Sequence, residues 1–111
     1  MNFNYQKTYT LKEATAKLEG YCAYQERCHK EVNQKLREMR MIPEAVDIII
    51  LHLLKYNFLN ETRFTQAYTR GKFNHKKWGK QRIVRELRYR DISKYNIDLG
   101  LKEITDEDYE N

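Results

Sequence analysis

Proline occurs once and glycine four times in 111 residues, too few for the turn-rich connections of a small β-sandwich or barrel. Val, Ile and Thr do not alternate with polar residues over any long stretch, so a sheet has no source. The two cysteines, Cys22 and Cys28, have no second pair and fit neither a disulfide framework nor a zinc site. Cys22 reads as a small core residue and Cys28, beside His29, as part of a helix end, with metal ligation by that pair as the alternative. The three histidines are scattered. The longest apolar run, Ile48 to Leu54, is broken by His52 and is too short to span a bilayer, and Met1 opens a polar segment unlike a signal peptide. These features point to a cytoplasmic protein that does not enter a membrane.

What is present is a recurring helix start. An apolar residue, a capping hydroxyl or amide, a polar first turn and a second apolar residue occur at Tyr9-Thr10-Leu11-Lys12-Glu13-Ala14, at Leu59-Asn60-Glu61-Thr62-Arg63-Phe64 and at Ile104-Thr105-Asp106-Glu107-Asp108-Tyr109. In each copy Thr or Asn can accept from free first-turn N–H groups, and the flanking pairs Tyr9/Ala14, Leu59/Phe64 and Ile104/Tyr109 can close as hydrophobic staples. The spacing of the starts is that of a helical repeat array.

Apolar residues at helical spacing then predict helices over 11–26, 29–40, 43–56, 61–73, 80–90 and 94–104. Leu11, Ala14, Leu18, Tyr21 and Cys22 mark the first and Val32, Leu36 and Met39 the second. Pro43 suits a first helical position and opens the third. Ala45, Val46, Ile48 to Leu51, Leu53 and Leu54 leave that helix almost no polar face, so it is expected to be central, packed between two units, with Ile49, Ile50, Leu53 and Leu54 among the most buried residues. Phe64, Ala67 and Tyr68, then Ile83 and Leu87, then Ile97, Leu101 and Ile104 repeat the plan. Trp78 before Gly79 and Ile92 before Ser93 supply further staples. Lys35-Leu36-Arg37 aligns with Glu86-Leu87-Arg88. The fold expected is all-α, built of tandem three-helix repeats: an extension over 1–9, repeats over 10–58 and 59–104, and the start of a third repeat over 105–111, loosely held because most of its unit is missing.

Charge is unevenly spread. Residues 1–59 carry nine Lys/Arg against seven Asp/Glu, residues 60–95 eleven against three, and residues 98–111 one against six. The basic middle suggests an anionic partner, a nucleic acid or an acidic protein groove. On a wheel of 100° per residue Ile83 and Leu87 define the buried side of helix 80–90 and Arg85 lies opposite, with Gln81, Arg82, Arg88 and Tyr89 on the same outward half. The loop from Lys72 to Trp78 precedes it. Arginine forks match phosphate or carboxylate pairs; read alone, the stripe is equally a solvated face in which Glu86 pairs with Arg82 and Arg90. No Gly-rich phosphate loop and no nucleophile in a plausible context occur, and the acidic pairs lie on exposed or terminal segments, so an enzyme is not expected.

The run Leu59-Asn60-Glu61-Thr62-Arg63-Phe64-Thr65-Gln66-Ala67-Tyr68-Thr69-Arg70, followed by Trp78-Gly79-Lys80-Gln81-Arg82-Ile83-Val84-Arg85-Glu86-Leu87-Arg88, resembles the signature segment of the RecX family of bacterial regulatory proteins. Lys35-Leu36-Arg37 and Pro43-Glu44-Ala45-Val46 resemble the family's first repeat more loosely. The resemblance implies a non-catalytic modulator of the RecA recombinase, made of three-helix repeats, that lies in the groove of the RecA–DNA filament and inhibits ATP hydrolysis and strand exchange. Carried over, the pattern marks Arg63, Phe64, Ala67, Tyr68, Arg70, Gly79, Arg82, Ile83, Glu86 and Leu87, of which Arg63 and Glu86 can equally be an internal pair. The partner-binding residues expected are Arg70, Lys72, Lys76, Lys77, Lys80, Arg82, Arg85, Arg88 and Tyr89. The expected partners are the RecA filament and, through the basic stripe, single- or double-stranded DNA, with a monomeric chain and no cofactor. A direct DNA-binding helix-turn-helix-like module is the alternative, and a helical scaffold unrelated to recombination a third.

Overall fold

Thr10 has extended backbone, and its hydroxyl accepts from the Glu13 N–H at 3.1 Å while the Glu13 carboxylate accepts from the Thr10 N–H at 2.9 Å. In the computed structural model, which describes residues 8–104, this reciprocal cap opens α1 (Leu11–Tyr24). Asn60 and Ser93 cap through their side chains alone, accepting from the Arg63 N–H at 2.9 Å and the Asn96 N–H at 3.2 Å. They open α4 (Glu61–Asn74) and α6 (Lys94–Leu101). Between them lie α2 (His29–Glu38), α3 (Pro43–Lys55), which starts on its proline, and α5 (Lys80–Tyr89). The described residues form six helices and no strand, so the chain is all-α. From Thr105 on, the third copy of the start motif lies outside the described residues, and with it the Tyr109 half of the Ile104/Tyr109 staple.

Four of the helices end on a non-glycine residue in the left-handed region: Arg40, Asn57, Lys77 and Asp91 have φ of 60°, 63°, 60° and 60°. After Arg40, Asn57 and Asp91 the next N–H turns back to a buried leucine carbonyl, Met41 to Leu36 at 3.1 Å, Phe58 to Leu53 at 2.9 Å and Ile92 to Leu87 at 3.1 Å. These bonds satisfy carbonyls that a helix end otherwise leaves bare.

Two apolar clusters hold the helices together. The first gathers Ala14, Leu18, Cys22, Val32, Leu36, Met39, Val46, Ile49, Leu53 and Leu59, with Tyr9 and Phe58 at its edge. The second gathers Cys28, Phe64, Ile83, Leu87, Ile92, Ile97 and Ile104, with Tyr68, Phe73 and Trp78 at its edge. Leu59 therefore packs in the first cluster and Phe64 in the second, which splits the staple expected between them. Cys28 crosses the other way, from the α2 cap into the second cluster.

Polar contacts reinforce the junction. The His29 N–H donates to Glu61 Oε2 at 3.0 Å, and Arg63 bonds Glu26 and donates to the Asn57 carbonyl at 2.9 Å. Arg63 and Glu86 are thus both internally paired, but with Glu26 and Arg90 rather than with each other.

The third helix departs from expectation. Val46, Ile49 and Leu53 are buried, whereas Ile48 is 52 % exposed, Leu51 66 % and Leu54 39 %, and Ile50 is only partly covered. α3 packs against α1 and α2 on one side. Its apolar composition hid an amphipathic placement, because a helix touching two neighbours needs only one buried arc.

In the second cluster α4 and α6 make the most extensive contact. A Cβ at Gly100 would lie 2.7 Å from Thr65 Cγ2 and 3.0 Å from Thr69 Oγ1, so glycine there is what lets the two helices approach. Thr65 satisfies its hydroxyl on the Glu61 carbonyl at 2.7 Å.

Candidate functional site

Ile83 and Leu87, both fully buried, fix the rotation of α5 and turn Arg82, Arg85 and Arg88 to the exposed side. Tyr89 is exposed beside them. Glu86 does not neutralise the stripe, because it pairs with Arg90 at 3.3 Å, and Arg90 also donates to the Glu86 carbonyl and lies 5.0 Å from the centre of the Tyr68 ring. Arg90 is a half-buried brace.

Arg82 places its guanidinium 3.9 Å from the centre of the Trp78 ring, and Lys72 reaches the same ring at 4.8 Å and Tyr68 at 5.2 Å. The Trp78 ring thus holds two cations of the expected site, a cation–π arrangement that orders their otherwise flexible side chains. Lys76 and Lys77 are exposed in the turn before α5, and Lys80 is half-buried in its first turn. The α5 cap is Gly79, which has no side chain to accept from that turn, so the positive end of the helix dipole stands among these lysines. Arg70, on α4, is exposed and pairs with Glu103 at 3.3 Å.

One contributor comes from far along the chain. Lys30, on α2, donates to the Tyr89 carbonyl at 2.6 Å, lies 4.3 Å from the centre of its ring and 3.8 Å from Asp91. It caps the carbonyl end of α5 and ties Tyr89 to the first cluster's helices. Beside it a groove of about 490 Å³ is lined by His29, Asn33, Gln34, Arg37, Arg90 and others. Neither Lys30 nor Arg37 belongs to the expected site; the alignment of Arg37 with Arg88 was the only sequence signal for either.

The titratable groups whose ionisation is shifted are not activated for catalysis. Burial pushes the Tyr21 and Tyr68 phenols and the Cys22 thiol up, and the Cys28 thiol up to about 11. A buried thiol kept protonated is a poor nucleophile and a poor metal ligand. Among the described residues no three His, Cys, Asp or Glu converge as a metal site, and no helix is long and apolar enough to cross a membrane. Exposed guanidinium groups beside an aromatic can instead bind phosphate or carboxylate through paired hydrogen bonds.

Residues 60–101, which carry α4, α5 and α6, match the family model described as RecX, second three-helix domain. The chain is 26 % identical over 97 residues to the regulatory protein RecX of Listeria monocytogenes serovar 1/2a, covering 87 % of this chain and 36 % of that protein. The chain is similar to RecX proteins along most of its length. The regulatory protein RecX of Enterococcus faecalis is 28 % identical over 82 residues, 74 % of this chain and 31 % of its own length. Two crystal structures share the fold at 25 % identity. One, of a regulatory protein RecX, superposes with a TM-score of 0.81 over 89 % of this chain and 50 % of its own; the other, RecX from Lactobacillus salivarius, with 0.78 over 87 % and 63 %. The chain thus spans about a third of the length of the curated RecX relatives it matches.

Proposed function

We propose that this chain is a regulatory protein of the RecX family, non-catalytic, that binds the RecA–DNA filament and inhibits RecA's ATP hydrolysis and strand exchange. The observation that supports the reading most is the outward arginine face of α5, exposed at Arg82, Arg85 and Arg88 and left unneutralised by Glu86. A RecA–DNA filament presents phosphates and carboxylates, both of which fit guanidinium forks. In this reading Arg82, Arg85, Arg88 and Tyr89 make the contact, Lys72 is held ready on Trp78, and Lys76, Lys77 and Lys80 add long-range attraction that raises the encounter rate. Arg70 contributes by exchanging Glu103 for a filament carboxylate.

Titrating the chain into RecA assembled on single-stranded DNA while ATP hydrolysis is followed tests the proposal. The rate should fall as the chain is added, and an unchanged rate would overturn the reading. The alternative, a direct DNA-binding module, draws on the three-helix shape of α4 to α6 and the same basic face. It requires binding to naked DNA with affinity falling steeply as salt rises, and it needs no RecA.

A further inference from the structure

Glu44, Ile48, Leu51 and Lys55 follow one another at intervals of four, three and four residues, which sets them within an arc of about 60° on one side of α3. All four are exposed. Among the described residues neither Glu44 nor Asp47 has an ion-pair partner, and Lys55 reaches only the ring of Tyr56, at 5.5 Å. Ile42, at the α3 cap, is 63 % exposed.

The fold does not require this apolar face. α6 occupies in the second cluster the place of α3 in the first: Pro43 and Lys94 are their first residues, and Val46, Ile49 and Leu53 correspond to the buried Ile97, Gly100 and Ile104. In that register Ile42 corresponds to Ser93, Leu51 to Lys102 and Ile48 to the half-buried Leu99. The same architecture is polar at the places of Ile42 and Leu51 in its second copy, so these two answer to something outside the first cluster, and the exposed Ile48 continues their face.

We propose that this face pairs antiparallel with α3 of a second copy of the chain, about a twofold axis passing between positions 49 and 50. The order of residues along the stripe carries the choice of occupant. Reversing the helix brings Ile48 onto the second copy's Leu51, and Glu44 onto the second copy's Lys55, in each half of the interface. A twofold interface must be complementary to itself in this way, and the spacing of four, three and four is that of apolar residues interlocking between two helices. The terminal charges fix direction and register more than affinity. With a single helix from each copy the buried area is at the low end for specific interfaces, so the dimer is weak and reversible. The pairing leaves the basic face of α5 to other partners and does not depend on the function proposed for it.

Sedimentation velocity on the whole chain at low salt, from micromolar to near-millimolar concentration, tests the pairing. The parent should shift from monomer to dimer with rising concentration, and Leu51→Glu should stay monomeric while melting like the parent. Glu44→Lys and Lys55→Glu should each weaken self-association several-fold, yet an equimolar mixture of the two should regain it, because each then meets an opposite charge. A parent that remains monomeric throughout means that some other occupant, or water, covers the face, and overturns the proposal. Association that survives Leu51→Glu, or a mixture that regains nothing, overturns it as well, by placing the contact elsewhere or in another register.

Discussion

The guanidinium of Arg82 lies 3.9 Å from the centre of the Trp78 ring, one turn of chain ahead of it. Trp78 is the sole tryptophan, so emission reports on the surroundings of this one ring, to which Arg82 lies nearer than Lys72. Arg82→Gln should change the intensity or wavelength of that emission at a stability cost of about 1 kcal/mol or less, the usual worth of an exposed cation–π contact. Arg85→Gln, about one turn further along the same exposed face and without a contact to the Trp78 ring, should leave the spectrum as it was. Equal spectra for all three proteins would show that Arg82 does not stack in solution.

Leu53 and Leu51 are two residues apart on α3 and should behave in opposite ways. Leu53 is fully buried in the first cluster and Leu51 is largely exposed. Leu53→Ala should destabilise by about 2–5 kcal/mol through lost burial and a cavity, whereas Leu51→Ala should change stability by about 0.5 kcal/mol or less. Urea melts of the two variants at low protein concentration decide the matter; comparable losses would restore a fully enclosed α3.

The close crossing of α4 and α6 makes a third test. Gly100→Ala puts a methyl 2.7 Å from Thr65 Cγ2 and should cost about 1–3 kcal/mol through overpacking. Thr65→Ser removes that methyl while keeping the hydroxyl bonded to the Glu61 carbonyl, so it should recover part of the loss in the double variant. Gly20→Ala, where nothing lies within 4 Å, should instead stabilise by about 0.4–1 kcal/mol by reducing the freedom of the unfolded chain. A neutral Gly100→Ala would mean that the two helices stand further apart.

Cys28 couples stability to alkaline pH. Its thiol is raised from 9.0 to about 11, chiefly by burial in the second cluster. A folded value above the unfolded one means that the native state holds the proton longer, so this contribution is fully present below pH 9 and fades as the pH approaches 11. Tyr21, Cys22 and Tyr68 are shifted the same way and add to the decline. Cys28→Ala should lose less stability than the parent between those two pH values, as read from urea midpoints; identical slopes would place the titrating groups elsewhere.

Local chemistry made the helices legible and long-range packing did not. Thr10, Asn60 and Ser93 act within one turn of their own position, so their hydrogen bonds follow from adjacent residues. Helix ends were less clear, because Arg40, Asn57, Lys77 and Asp91 take a left-handed conformation usually signalled by glycine. The outward turn of Arg82, Arg85 and Arg88 followed from Ile83 and Leu87. The clasp of Lys30 on Tyr89 joins residues on different helices that no periodicity links. On α3 a high count of apolar residues does not mean burial, because its two neighbouring helices bury only Val46, Ile49 and Leu53.

The role of the α5 face is tested most directly by replacing Arg82, Arg85 and Arg88 together with Gln, which keeps polarity and helix propensity while removing charge, and titrating parent and variant into RecA assembled on single-stranded DNA while ATP hydrolysis is followed. All three side chains are exposed and Glu86 is bonded to Arg90, so the variant should melt close to the parent but need at least about tenfold more protein for the same inhibition, as expected for losing about 1.4 kcal/mol or more of binding. Undiminished inhibition by a folded variant would contradict the assignment and move the contact to another surface.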